Sequence, residues 1–466
     1  MGHTAPNILV FMTDDHGQWA ARCYGNRELV TPSMDYLAQT GSRMNRAFTP
    51  SPVCSPARAS FLTGRLPSQH GIHDWIKERG EGMDHPGLQG QTNVGQLLQS
   101  AGYQTGLIGK WHCGRSWVPH PGFDRWFSYQ NDQLPHVGVQ GFSDQGTHVV
   151  RRGHQANLIT DQVINFLRDR TSDDPFFLLV GYVNTHTPHE DQPERLARRY
   201  RKGRFDDIPH EQFPPCHGRT RFRIRDFEDP EYLESLAQYY AAVTVIDEQV
   251  GRVLDELDGS GQLDSTLVVY TSDHGLMKGH HGTQMKGNST VPQNFFEESI
   301  LVPCLLSWPE GAASGAEPDA LVDHCDLFMT LLDVAGVRLD SRTAAEIRSP
   351  GRSYLPVLEG DVREPWGEQV FGEYGNARMV RTRDRKLIRR YPGPTGRFPD
   401  ELYDLSSDPR ETDNVFENSQ YTSACEELSS RLESHFSRYE FPDRSGLRLD
   451  EQPRHNECEP WRVSRC

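Results

Sequence analysis

The apolar positions along the chain follow two periods. Four short runs, Ile8 to Met12, Thr105 to Ile108, Phe176 to Val183 and Leu267 to Tyr270, are nearly continuous in apolar residues, and polar, reactive residues follow each at once. Runs of this length and content have the composition of strands buried in a parallel sheet. Between them the period lengthens. Leu233, Leu236, Tyr240, Val243, Ile246, Val250, Val253 and Leu257 are spaced by threes and fours, which places them on one buried helix face. Strands alternating with helices predict an α/β fold, with a large, mostly parallel central sheet flanked by helices. In such sheets ligands sit beyond the carboxyl ends of the strands, where loops and helix N-termini converge. The polar residues after all four runs are therefore expected to share one site.

From about Gly360 the pattern changes to short pieces, Gln369 to Tyr374, Arg378 to Thr382 and Lys386 to Ile388, which fit hairpins better than crossovers. A last helix, roughly Ser423 to Tyr439, would pack on them through Leu428, Leu432 and Phe436. At 466 residues the chain exceeds the ~250–300 residues at which single cores stop growing. Two domains are expected: residues 1–360, carrying the site, and a smaller C-terminal α+β domain, residues 361–466.

Composition narrows the function classes. With 35% hydrophobic residues and no apolar run near the ~20 residues a membrane helix needs, no spanning helix is expected. Lys plus Arg number 49 against 65 Asp plus Glu, a net charge of -16 that repels nucleic acid and anionic membranes. An anionic substrate would need a local basic pocket. Met1 to Pro6 lead straight into the first apolar run without a basic n-region and long h-region, so the expected location is cytoplasmic as written, and secreted or periplasmic if a signal was trimmed. The nine cysteines are scattered without Cys-x-x-Cys spacing, so a disulfide framework is not expected; Cys458 and Cys466 are near enough to pair or to remain reduced.

The chemistry concentrates after the runs. The first ends in Thr13-Asp14-Asp15-His16-Gly17 and the fourth in Ser272-Asp273-His274-Gly275, so two acidic clusters arrive at one edge of the sheet. Either alone fits a helix cap. Together, three repelling carboxylates favour a neutralising cation with hard oxygen ligands, calcium or magnesium.

Cys54-Ser55-Pro56-Ala57-Arg58, continuing to Leu62-Thr63-Gly64, stands between them. A lone Cys near an Arg is more often a small buried residue or a modestly activated thiol. With both acidic clusters present, this segment resembles the Cys-x-Pro-x-Arg signature of the sulfatase family, in the alkaline phosphatase superfamily. The resemblance implies that a formylglycine-generating enzyme oxidises Cys54 to formylglycine, whose hydrate attacks the ester. It also implies one divalent metal, Ca2+ expected and Mg2+ the alternative, held by Asp14, Asp15, Cys54, Asp273 and His274. His274 stands where many relatives have Asn.

Gly102 to His112 resembles the family's second signature, which assigns Lys110 and His112 to the nucleophile; without it they are alternate residues past a strand. Asn184-Thr185-His186-Thr187-Pro188-His189 resembles the segment whose His protonates the leaving group, which selects His186 with His189 as runner-up. Gly279 to Lys286 resembles the segment whose Lys contacts sulfate, although more residues than usual separate Lys286 from Phe295-Phe296-Glu297-Glu298. Glu401 to Leu405 followed by Asp408-Pro409 resembles the family's ending. The implied catalytic set is Cys54, Arg58, Lys110, His112, His186 and Lys286, and the implied reaction is release of inorganic sulfate from an organic sulfate ester.

Between Glu190 and Pro230 lie ten basic residues, Arg195 to Arg225, either a lid for a sulfated saccharide or a solvated basic surface. Trp75, Trp111 and Trp117 would stack on a sugar or aryl group, or pack in the core. Two other readings stay open: a phosphodiester or phosphonate monoester hydrolase of the same superfamily, and a non-catalytic relative that binds sulfated glycan. Oligomeric state is not legible.

Overall fold

Each of the four apolar runs forms a strand in the middle of one sheet. The computed structural model describes residues 5–78, 85–129, 135–209, 218–309, 311–360, 366–393 and 396–462. Its largest sheet contains β1 (Asn7–Thr13), β2 (Ser42–Arg43), β3 (Gln104–Gly109), β4 (Arg125–Tyr129), β5 (Val137–Asp144), β6 (Thr147–His154), β7 (Phe176–Gly181), β8 (Thr266–Ser272) and β9 (Cys304–Ser307). The spatial order is β2-β9-β8-β1-β7-β3-β4-β5-β6. The five strands β8-β1-β7-β3-β4 pair in parallel, whereas β9 and β2 on one side and β5 and β6 on the other pair antiparallel. The sheet is thus mixed at its edges and parallel where the predicted strands lie. β2 and β9, of two and four residues, are too short to show a period, and β5 and β6, toward the other edge, need no continuous apolar run.

Alternation along β1 divides the core. Leu9 and Phe11 belong to one buried cluster with Val163 and Ile246, while Ile8, Val10 and Met12 belong to another with Leu62 and Leu327. Successive side chains of a strand point to opposite faces, so both faces are covered by helices. On one lie α1 (Pro32–Thr40), α3 (Gln155–Asp169) and α4 (Pro230–Gly259); on the other lie α2 (Cys54–Thr63) and α5 (His324–Val334). The long α4 starts cleanly: Asp229 caps it by accepting from Glu231 N at 2.8 Å, and Pro230 occupies a first-turn position. Of its predicted face, all but the half-buried Leu233 are fully buried.

The C-terminal part forms a second, antiparallel sheet of β10 (Gln369–Tyr374), β11 (Ala377–Thr382), β12 (Arg385–Arg390) and β13 (Glu401–Asp404) in that order. As expected, helix α6 (Thr422–Tyr439) lays Leu428, Leu432 and Phe436 on Val380, Leu387 and Leu402. The chain then runs back to the segment following α2: Phe441 N donates to Ser68 O at 3.0 Å, and Lys77 N to His455 O at 2.9 Å. The expected boundary at residue 360 adjoins residues 361–365, which lie outside the described residues.

Among the described residues no helix is long and apolar enough to cross a membrane. Cys23, Cys54, Cys113, Cys304, Cys325 and Cys425 are free and Cys458 is disulfide-bonded, while Cys216 and Cys466 lie outside the described residues.

Candidate active site

β8, β1, β7 and β3 are consecutive in the sheet, so their carboxyl ends open onto one mouth. Asp14 and Asp15 follow β1, Lys110 and His112 follow β3, His186 follows β7, and Asp273 and His274 follow β8. Close backbone approach holds the neighbours in place: Lys110 N donates to Gly181 O at 2.9 Å, and a Cβ on Gly181 would lie 2.6 Å from that nitrogen. Asp15 and His112 adopt left-handed backbone conformations, with φ of 56° and 55°. Such strain in residues other than glycine is held only where surrounding structure fixes it, and it clusters at functional sites.

Cys54 is the first residue of α2, where the helix dipole favours negative charge. Its sulfur lies 3.4 Å from Asp14 Oδ1, 3.2 Å from His274 Nε2 and 3.1 Å from Lys286 Nζ. Burial alone would raise the thiol pKa, but Lys286, Lys110 and His274 together hold it well below its ordinary value. Lys110 Nζ bonds Asp14 Oδ2, and Lys286 Nζ bonds Asp15 Oδ1. The extra residues after Lys286 cause no displacement. They close on themselves, with Asn294 N donating to Gly287 O at 2.9 Å, while Gly287 N reaches Pro52 O at 3.1 Å beside Cys54.

One ligand atom from each of Asp14, Asp15, Cys54 and His274 lies within 4.8 Å of the others, all four residues being buried. Among the described residues, Asp15 Oδ2 finds no hydrogen-bond partner despite burial. Against burial, Asp273 and the Cys54 sulfur lift the His274 imidazolium to about 9. The field that holds a proton there attracts a metal cation equally, so the donor set fits a divalent ion. Asp273 stands beside this group: its Oδ1 is 3.5 Å from His274 Nε2, while Arg58 Nε donates to its Oδ2 at 2.8 Å.

The two histidine candidates differ in setting. His186 donates Nδ1–H to Thr187 O at 2.5 Å, and its Nε2 lies 4.0 Å from Asp15 Oδ2, facing the mouth. Burial opposes protonation, yet Asp15 and Asp14 raise its pKa above the usual value. His189 instead donates Nε2–H to Thr185 O at 3.0 Å and accepts from Lys278 Nζ at 3.2 Å through Nδ1. His112 bonds Ile76 O through Nε2 at 2.9 Å.

The basic stretch after Glu190 lies largely on the surface and is balanced by acids: Arg195 pairs with Glu248, Arg198 with Glu194, and Arg201 with Glu194 and Glu234. Trp111 packs against Phe123 and Trp126 in the core, Trp75 is half-buried, and Trp117 is exposed. Sequence reasoning missed Lys278. Its signal is a lysine directly after the buried Leu276 and Met277 that follow Gly275.

The family model for sulfatases matches residues 6–337. The chain belongs to the sulfatase family. A second model, described as the C-terminal part of N-sulphoglucosamine sulphohydrolase, matches residues 293–438 of this sulfatase. The N-acetylglucosamine-6-O-sulfatase of Bacteroides thetaiotaomicron is 28% identical to it, over 94% of this chain and 87% of the relative. A solved structure in complex with its substrate D-glucosamine-2-N,6-O-disulfate superposes with a TM-score of 0.79 at 27% identity, covering 94% of this chain and 98% of that one. The phosphonate monoester hydrolase of Agrobacterium radiobacter superposes with a TM-score of 0.70 at 21% identity, over 93% and 96%, a likeness of fold alone. The sulfatase is thus an enzyme of sulfate ester hydrolysis on an alkaline phosphatase-like fold.

Proposed function

We propose that this enzyme releases sulfate from a sulfated saccharide, with formylglycine made from Cys54 as nucleophile and one divalent ion, calcium expected, held by Asp14, Asp15, His274 and the group at position 54. The observation that carries the reading is the Cys54 sulfur, set among Asp14, His274 and Lys286 at 3.1 to 3.4 Å at the mouth of four parallel strands. That sulfur stands where a hydroxyl of the formylglycine hydrate would be. The hydrate supplies two geminal hydroxyls, one to attack sulfur and one to expel sulfate later, and the ion supplies Lewis acidity and lowers a hydroxyl pKa.

The chain's own groups do the rest. Lys110 and Lys286 offset the charge that grows on the sulfuryl oxygens, a preorganised field in a buried site. Arg58 positions Asp273 through their bond and shields the carboxylates from one another. His186, with Nδ1 committed to Thr187 O and its pKa raised, keeps Nε2–H to protonate the departing alkoxide. His112, whose Nε2 bonds Ile76 O, takes the proton from the second hydroxyl and so releases sulfate.

Saccharide substrates are supported by the relatives: one acts on N-acetylglucosamine 6-sulfates by its name, and another binds a disulfated glucosamine. The test is protein co-expressed with a formylglycine-generating enzyme, mass spectrometry of the peptide spanning residues 54 to 58, metal analysis, and sulfate release from nitrophenyl sulfate and sulfated hexosamines. An unmodified Cys54 in protein that nonetheless turns over sulfate esters overturns the nucleophile. Faster turnover of bis-nitrophenyl phosphate than of any sulfate ester overturns the substrate class.

A further inference from the structure

Thr187, next to His186, and Met285, next to Lys286, both line a cavity of about 1080 Å³. The cavity is thus lined by the chain neighbours of the proposed leaving-group acid, His186, and of Lys286, together with His189. Its lining includes Lys278, His189, Ser235 and Gln238.

Lys278 is only 1% exposed. Its Nζ donates to Ser235 Oγ at 2.6 Å and to His189 Nδ1 at 3.2 Å, and the Tyr239 ring lies 6.0 Å away. His189 can only accept there, because its Nε2–H is committed to Thr185 O. An ammonium group has three N–H donors, so one remains beyond these two acceptors. Among the described residues no carboxylate pairs with Lys278, whereas buried Lys110, Lys286 and Lys386 each pair with one. Buried charges are ordinarily paired, and burial pulls the Lys278 pKa down to about 7, with only Asp15 opposing.

We propose that Lys278 is a specificity residue that binds a second anionic group, a carboxylate or a further sulfate, on the leaving-group side of the substrate. This rests on the sulfatase reading above and names the class of ester within it. The rim adds a limit on size. Arg201 holds Glu194 and Glu234 at 2.9 and 2.6 Å, but Glu190, Asp191 and Glu231 are exposed there and, among the described residues, pair with no basic group, so they disfavour a long polyanion. The class is a short saccharide sulfate bearing one more negative group.

The test uses matured full-length enzyme and three sulfate esters: a monosulfated hexosamine, the same sugar with a second sulfate, and a sulfated disaccharide whose second ring carries a carboxylate. The readout is the ratio of kcat/KM for each dianionic ester to that for the monoanionic one, in wild type and in Lys278→Met. The ratio is expected to fall at least fivefold in the variant, chiefly through KM. A fall for the carboxylate ester alone assigns a uronate, and a fall for the disulfated ester alone assigns a sulfate. A fall below fivefold for both overturns the proposal. Wild-type enzyme gives an independent arm: methyl esterification of the carboxylate, or removal of the second sulfate, should raise KM at least fivefold for the assigned partner, and no rise for either overturns it. Absence of sulfate release from every ester, nitrophenyl sulfate included, would instead sink the sulfatase reading itself.

Discussion

The mouth of the central sheet and the seam between the segment following α2 and the C-terminal sheet both bury full charges, but they satisfy them differently. At the seam, Glu373 is wholly buried and accepts from Ser68 N and Ser68 Oγ, both at 2.6 Å, and from Arg378 Nε at 3.0 Å. Arg378 also reaches Glu440 at 2.5 Å and lies 4.0 Å over the Phe436 ring. At the mouth, among the described residues, Asp15 keeps one carboxylate oxygen without a hydrogen bond, and Lys278 pairs with no carboxylate. A buried pair with all its partners fixes how two elements sit together, whereas a buried charge short of partners is held ready for an ion or a substrate.

The sharpest way to break this comparison is to remove one group from each region. Cys54→Ala is expected to lower sulfate release by about 10³-fold or more, because the nucleophile is lost, while circular dichroism and melting temperature stay close to wild type. Comparable activity in the purified variant would contradict the role of the mouth. At the seam the cost falls on stability instead: Arg378→Ala leaves Glu373 buried and uncompensated, and denaturant unfolding should record a loss of about 3–5 kcal/mol.

Lys278 sharpens the contrast through pH. Its folded pKa, about 7, lies below the ordinary 10.5, so the unfolded chain holds a proton that the folded chain releases between these values. Stability attributable to this group therefore rises as pH increases from about 7 towards 10.5, by an amount on the order of a few kcal/mol. Lys278→Met should flatten that rise and be the more stable protein near pH 7. A steeper or unchanged slope in the variant would show that the lysine is compensated. The smallest effect belongs to the exposed pair of Arg195 and Glu248, whose solvent screening limits Arg195→Ala to less than about 1 kcal/mol in thermal unfolding.

Much of the fold was legible because buried strands and long helices write their period into the sequence. The four apolar runs became the central strands β1, β3, β7 and β8, and the predicted C-terminal hairpins and helix lie where the pattern put them. The antiparallel edges were not legible: β6 is exposed or half-buried throughout, and β5 buries only Gln140, Phe142 and Ser143, so neither carries a run of buried apolar residues. The sequence left Cys458 open between pairing and remaining reduced, and the structure has it disulfide-bonded, since spacing along the chain does not reveal which sulfurs meet. At the site, the residues expected from the family's motifs do converge, and the insertion after Lys286 leaves that lysine against Cys54.

By itself the sequence determined which strands are buried, the order in which they deliver acids, bases and the cysteine to one edge, and the family that carries this order. These are local properties, set by residue type and spacing. Only the tertiary structure decided the pairings: Asp273 with Arg58, His189 with Lys278 rather than with the nucleophile, and, among the described residues, a buried lysine paired with no carboxylate beside the site. The reason is physical, since the strength of an interaction between buried charges depends on distances of a few ångströms between elements far apart in the chain, and spacing along a sequence carries no such distance.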